Sequence, residues 1–151
     1  MNISIRNQSS VFRRGTLRQN SKGSRKGLAT VEFALIAPLF FMLILGSIEM
    51  GRGLMVQQVL TNASRVGVRD AVMLSGTTAS ATTAATDFAE GATVGGVTVV
   101  VTPDPSTASS GDMISLTVSV PFANVTWVPA PWFMGSTTLS ATSVMRKEGF
   151  E

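Results

Sequence analysis

An unbroken apolar segment near the N-terminus dominates the pattern of hydrophobic and polar positions. Residues 28–48 are twenty-one side chains with a single charge, Glu32. A helix over this segment would be roughly 30 Å long, which matches the hydrocarbon core of a bilayer. Because a buried helix of a soluble domain rarely stays apolar on every face, the segment predicts a membrane-spanning helix. Pro38 lies inside the span and predicts a kink or a loosened turn there.

Beyond the apolar segment the pattern becomes amphipathic, which predicts that the helix continues to Leu74. Residues 49–74 contain no proline, and their apolar positions recur at helical spacing. The apolar stripe consists of Val56, Val59, Leu60, Ala63, Gly67, Ala71 and Leu74. A polar stripe lies beside it, interrupted by Val68 and Val72. We expect the apolar stripe to pack against the following domain or against a neighbouring helix.

After this helix the chain first turns polar and then adopts the period of a strand. Residues 75–86 are rich in Ser, Thr and Ala and predict a turn and linker, with a short helix near residues 83–90. Alternating apolar positions then predict three strands, at residues 97–102, 113–120 and 137–145. In the second strand, one face carries Ile114, Leu116, Val118 and Val120. In the third strand, Leu139, Ala141, Ser143 and Met145 are expected to point inward.

The whole pattern predicts an α+β fold, in which a long N-terminal transmembrane helix with an amphipathic extension packs on a small antiparallel β-sheet. We divide the chain into a basic leader (1–27), the transmembrane helix (28–48), the helical extension (49–74) and an extracytoplasmic α+β domain (75–151). Three prolines and the tryptophans Trp127 and Trp132 mark the loop before the third strand. Two explanations fit these tryptophans equally well. They could form a protruding contact for a binding partner, or they could cover the open end of the small sheet.

The charges are distributed unevenly along the chain. Seven cations and no acid precede Leu28, whereas five cations and nine acids follow from Leu28 onward. Basic residues remain on the cytoplasmic side of a membrane span, so the N-terminus is expected in the cytoplasm and the C-terminal body outside. Because the cations lie in one short arm beside an apolar segment, they favour a topology signal over nucleic-acid binding.

The composition also limits the chemistry of the chain. There is no Cys and no His, which excludes disulfides, thiolate catalysis, imidazole bases and most zinc sites. With few acids and no converging catalytic set, we predict no enzymatic activity, cofactor, metal or small-molecule substrate. Asp104 and Asp112 are weak calcium candidates that lack EF-hand spacing. Glu49 and Arg52, three residues apart, are interpreted as a surface ion pair worth under about 1 kcal/mol.

The junction between the leader and the apolar segment carries the most informative motif. The run Arg25-Lys-Gly-Leu-Ala-Thr-Val-Glu-Phe resembles the processing site of type IV prepilins. In those proteins a basic leader ends in Gly, and the mature chain carries Glu at its fifth position. Cleavage after Gly27 would make Leu28 the first residue and Glu32 the fifth. Leu28 departs from the Phe that is common at this place in type IV pilins.

The wider run is similar to the TadE-like minor pilins, or pseudopilins, of the Flp (tight-adherence) pilus system. The similarity covers residues 27–38, the sequence Glu49-Met-Gly-Arg, residues 60–69 and the closing residues 139–146. It implies a structural or assembly subunit of the bacterial inner membrane or a surface pilus. Its implied partners are a prepilin peptidase, other pilins and the secretion platform. In that family the Glu at the place of Glu32 serves assembly.

Two alternatives remain open at this point. The Glu32 carboxylate could be tolerated without a role, by reaching the headgroups or by staying protonated, instead of pairing with an amine during assembly. The whole chain could also be an uncleaved single-pass anchor that displays a small extracytoplasmic binding domain. Retention of residues 1–27 in the mature protein would favour this second reading.

Overall fold

The computed structural model describes residues 22–127 and 135–149. The chain divides into two compact units, Met1–Phe40 and Phe41–Glu151. The elements are α1 (Lys22–Val72), α2 (Thr78–Gly91), β1 (Thr98–Thr102), β2 (Met113–Pro121), a 3₁₀ turn (Phe122–Asn124) and β3 (Thr138–Arg146). The strands form one antiparallel sheet in the order β1-β2-β3. The predicted α+β class is therefore confirmed.

The apolar part of α1 is exposed. Its most apolar eighteen-residue stretch has a mean hydropathy of 2.3, and none of it is buried. The helix passes through Pro38 without interruption and begins at Lys22, earlier than the sequence pattern indicates. An exposed helix of this length and composition indicates anchoring in a membrane. The first 21 residues of the predicted leader lie outside the described residues.

In the unit Phe41–Glu151, the second half of α1 packs on α2 and on one face of the sheet. The buried residues of α1 are Val56, Leu60, Ala63, Ser64, Gly67, Val68, Ala71 and Val72. The predicted stripe is thus largely correct, but it is too narrow. Val68 and Val72, expected to interrupt a polar face, are buried because both α2 and the sheet cover this helix. Leu74 is 63% exposed because α1 ends at Val72.

Helix α2 is longer than the sequence pattern predicts. The segment interpreted as a linker contains its first turns, which start after the N-cap residue Thr77. The Thr77 hydroxyl accepts a hydrogen bond from the Ser80 backbone N–H at 3.1 Å, and the Ser80 hydroxyl accepts one from the Thr77 N–H at 3.2 Å. This reciprocal pair satisfies donors that a helix start leaves unpaired. Ala81, Ala85 and Ala89, four residues apart, form its buried face.

Strand β2 is the centre of the sheet and carries the alternation that the sequence predicts. Its four apolar residues at 114, 116, 118 and 120 are buried, and the residues between them are partly exposed. All three strands occur close to their predicted ranges. On the opposite face, the hydroxyl groups of Thr117 and Thr142 lie 2.8 Å apart. The sheet therefore has one apolar face on the core and one polar face.

The residues after β3 close the C-terminal end of α1. The Lys147 ammonium donates to the Met73 carbonyl oxygen at 3.0 Å, and the Glu148 N–H donates to the Val72 carbonyl oxygen at 2.9 Å. Lys147 is only 8% exposed. A cation and a backbone N–H thus reach the carbonyl groups that a helix end leaves without intrahelical partners.

Candidate functional site

The residues of the predicted processing and assembly site lie together on the exposed surface of α1. Leu28 is 70% exposed, and among the described residues no atom outside the local helix lies within 4 Å of where a Cβ of Gly27 would be. Glu32 is also exposed. Residues four apart share a helix face, so Leu28 and Glu32 lie one turn apart on the same side.

Glu49 and Arg52 are not arranged as the predicted surface ion pair. Both side chains instead hold the segment that follows the 3₁₀ turn. The Glu49 carboxylate accepts hydrogen bonds from the Thr126 hydroxyl at 2.5 Å and from the Trp127 N–H at 3.4 Å. The Arg52 Nε–H donates to the Val125 carbonyl oxygen. Two charged residues of α1 thus fix three consecutive residues of a loop that is distant in sequence.

The contact between Arg52 and Trp127 is a cation–π pair. The Arg52 guanidinium carbon lies 4.5 Å from the centre of the Trp127 ring, while the tryptophan stays 76% exposed. An arginine within about 6 Å of an aromatic ring centre is attracted to its face. Sequence reasoning missed this pair because the partners lie in different elements. Trp132, the other tryptophan of the predicted loop, lies outside the described residues.

The two aspartates considered for calcium are engaged in turns. Asp104 Oδ1 accepts hydrogen bonds from the Ser106 N–H at 2.9 Å, the Ser106 hydroxyl at 2.8 Å and the Thr78 hydroxyl at 3.1 Å. The Ser106 backbone and hydroxyl donors, followed by Thr78, hold the pKa of Asp104 below its ordinary value. Asp112 Oδ2 accepts from the Ser109 N–H at 2.8 Å. Both carboxylates therefore order the connection between β1 and β2.

A comparison with known proteins gives a family match within the N-terminal helix. Residues 27–69 match the family model described as TadE-like protein, a range that starts at the predicted processing glycine and lies wholly within α1. Neither the curated proteins nor the solved structures include a match. Over residues 27–69 the chain is thus similar to TadE-like proteins.

Proposed function

We propose that this chain is a structural or assembly subunit, a minor pilin or pseudopilin, of a Tad/Flp pilus or secretion system. A prepilin peptidase cuts it after Gly27. The helix at 28–48 then holds it in the bacterial inner membrane, with residues 75–151 on the extracytoplasmic side. The observation that carries the proposal is the exposed apolar helix with one carboxylate at Glu32, within a TadE-like match that begins at Gly27.

The surroundings of Gly27 support the processing step. A peptidase needs access to the peptide backbone, and Gly27 offers it because no side chain of the described residues lies within 4 Å of where its Cβ would be. The basic residues before it keep the leader on the cytoplasmic side of the membrane, where the cut would take place. Residues 1–27 are therefore removed, and Leu28 becomes the new N-terminus.

The new N-terminus explains why a carboxylate sits on an apolar helix. Cleavage creates an α-amine that is largely protonated at neutral pH, one helical turn before Glu32. An unpaired carboxylate within the hydrocarbon region costs about 2.5–3.5 kcal/mol on insertion scales. Pairing with the amine of the same subunit or of the next one removes much of this cost. Glu32 thus favours entry of subunits into a helical bundle in one register.

An uncleaved single-pass anchor that displays a binding domain is the second candidate. Its support is that the unit from Phe41 has its own buried core and carries an exposed tryptophan, Trp127. In this case the chain would keep residues 1–27 and would contribute nothing to a filament. Other pilins, the secretion platform and the peptidase would not be partners.

Substitution of Glu32 tests the assembly role. Glu32→Gln keeps the size of the side chain and removes its charge, whereas Glu32→Asp is the matched control that retains the charge. In cells that carry the Tad system, we expect the Gln variant to reach the membrane but to disappear from the sheared surface filaments, or to reduce filament number. The Asp variant should retain a clear part of the function. Equal filament yield and composition in the wild type and the Gln variant would refute the assembly role.

A further inference from the structure

The end of the folded unit that carries Trp127 lies where α1 changes from wholly apolar to amphipathic. Ile48 is the last residue of the apolar segment and is 51% exposed. Glu49 and Arg52 follow within the next turn and are the two residues that bind the Trp127 segment. The indole ring is therefore held at the level of Arg52 along the helix, close to where the hydrocarbon region ends.

The apolar surface of α1 continues past this level. Met50, Leu54 and Met55 are 50%, 63% and 55% exposed. Each residue of a helix rises about 1.5 Å, so the apolar side chains reach about 9 Å beyond Glu49. Trp127 thus has exposed apolar helix surface both below and above its own level. A contiguous apolar surface of this kind marks a site of contact with a membrane or with another protein.

The chemistry of the pair fits a lipid headgroup layer. Tryptophan concentrates at membrane interfaces because its ring is apolar and its N–H is polar. Arg52 is a permanent cation with five N–H donors. Within the described residues, its Nε–H donates to the Val125 carbonyl oxygen. Its remaining donors can bind phosphate oxygens in the bidentate manner that guanidinium groups favour.

We propose that Trp127 and Arg52 form a lipid-binding contact that docks the end of the folded unit on the phospholipid headgroups at the outer boundary of the membrane span. Trp127 enters the interface while Arg52 binds phosphate. Glu49 fixes the loop so that both groups stay at one depth. The inference rests on membrane anchoring by α1, and it applies to the subunit before any entry into a filament.

Fluorescence quenching in vesicles measures the depth of Trp127 directly. The full chain with Trp132→Phe, which leaves Trp127 as the single tryptophan, is reconstituted into phosphatidylethanolamine and phosphatidylglycerol vesicles. Some vesicles contain lipids brominated near the headgroup end of the acyl chains, and others contain lipids brominated near the terminal methyl. We expect the shallow bromines to remove most of the fluorescence, and the deep bromines and aqueous acrylamide to remove little.

A matched control places a tryptophan at the far end of the same unit. The variant Trp127→Phe, Trp132→Phe and Leu74→Trp carries its single tryptophan just beyond the end of α1, about 30 Å of helix rise away from Arg52. It should be quenched by acrylamide and not by either brominated lipid. Arg52→Gln in the Trp132→Phe background should lose part of the shallow quenching and gain acrylamide quenching, with an unchanged circular dichroism spectrum.

The outcomes separate this inference from the proposed function. Flotation of the chain with the vesicles reports membrane anchoring independently of the depth of Trp127. A chain that floats but whose Trp127 is quenched by acrylamide alone, or by deep bromines alone, overturns the lipid contact and leaves the pilin proposal intact. A chain that fails to float overturns both.

Discussion

Ser64 of α1 and Ser143 of β3 share a hydrogen bond across the core, with 2.8 Å between their hydroxyl oxygens. Ser64 is fully buried, and its hydroxyl also lies 2.9 Å from the Thr61 carbonyl oxygen. A carbonyl can only accept, so the arrangement that satisfies both contacts has Ser64 donating to Thr61 and accepting from Ser143. This bond joins the helix to an edge strand of the sheet.

We expect the two serines to be coupled in stability. Each single change, Ser64→Ala or Ser143→Ala, should cost about 1 kcal/mol, because it removes the hydrogen bond between the two hydroxyl groups. The double variant should lose clearly less than the sum of the two. Urea unfolding of the full chain in detergent, followed by circular dichroism, measures all three. Strictly additive losses would show that the hydrogen bond contributes nothing.

A second prediction concerns the close approach of three elements at Gly67. A Cβ at this position would lie 2.8 Å from Leu116 Cδ1, 2.9 Å from the Ala81 carbonyl oxygen and 2.9 Å from Ala85 Cβ. Gly67→Ala should destabilise the protein by about 1–3 kcal/mol, because overpacking outweighs the better helix propensity of alanine.

The matched control for Gly67 is Gly51 in the same helix, where a Cβ would meet open space. Gly51→Ala should be neutral or should stabilise the helix by up to about 1 kcal/mol. Thermal unfolding in detergent compares the two variants. The packing account fails if both alanines shift the midpoint in the same direction and by the same amount.

The cap formed by Lys147 gives a third prediction. Lys147→Met keeps much of the apolar stem and removes the ammonium that binds the Met73 carbonyl oxygen. We expect a loss of about 1 kcal/mol, since a cation at a helix C-terminus and its hydrogen bond are both removed. Arg65→Met, at an exposed position of α1, serves as the control and should change stability by less than about 0.5 kcal/mol. A loss at position 147 no larger than that of the control would rule out the cap.

The lowered pKa of Asp104 predicts a dependence of stability on acid pH. Its ordinary value is 3.8, and hydrogen bonds from Ser106 and Thr78 lower it in the folded chain. A carboxyl group with a depressed folded pKa stabilises the fold fully above its unfolded pKa, and this contribution is lost as the pH falls through the folded pKa. Stability should therefore fall as the pH drops below about 3.8.

Two variants test whether Asp104 causes this loss of stability at acid pH. Asp104→Asn cannot titrate and should flatten the decline below pH 3.8. Ser106→Ala keeps the carboxyl group and removes one hydroxyl donor, so it should weaken the decline in part. The measurement is the midpoint of urea unfolding as a function of pH. If the midpoint falls equally at acid pH in the wild type and in the Asn variant, Asp104 does not contribute to the pH dependence of stability.

Secondary structure could be predicted most closely where apolar residues alternate along a strand or form an unbroken segment. Apolar side chains at every second position of β2 define its buried face, and the unbroken apolar segment defines the span. Helix α2 was partly missed because Ser, Thr and Ala have no strong hydrophobic period. Its signals were the alanines at 81, 85 and 89 and the cap at Thr77. Burial of Val68 follows from packing by two elements and cannot be read from one helix alone.

In the candidate site, too, features of residues that are close in sequence could be predicted, whereas contacts between distant residues could not. Gly27, Leu28 and Glu32 are selected from sequence because the run around them resembles the type IV prepilin processing site, and their roles stay a prediction. The contacts of Glu49 with Thr126 and Trp127 join residues 77 and 78 positions apart. Such contacts depend on how the sheet returns to α1, so the spacing of Glu49 and Arg52 suggested the wrong partner for each.

The most direct test of the central claim is the N-terminus of the mature protein. Intact mass and N-terminal sequencing are measured on the full chain, expressed with and without a matching prepilin peptidase, and on a variant with a bulky residue at the cut, Gly27→Leu. The account predicts a new N-terminus at Leu28 that requires the peptidase and is absent from the variant. An intact N-terminus in the presence of active peptidase would contradict the pilin-like account and would favour a membrane anchor with a binding domain.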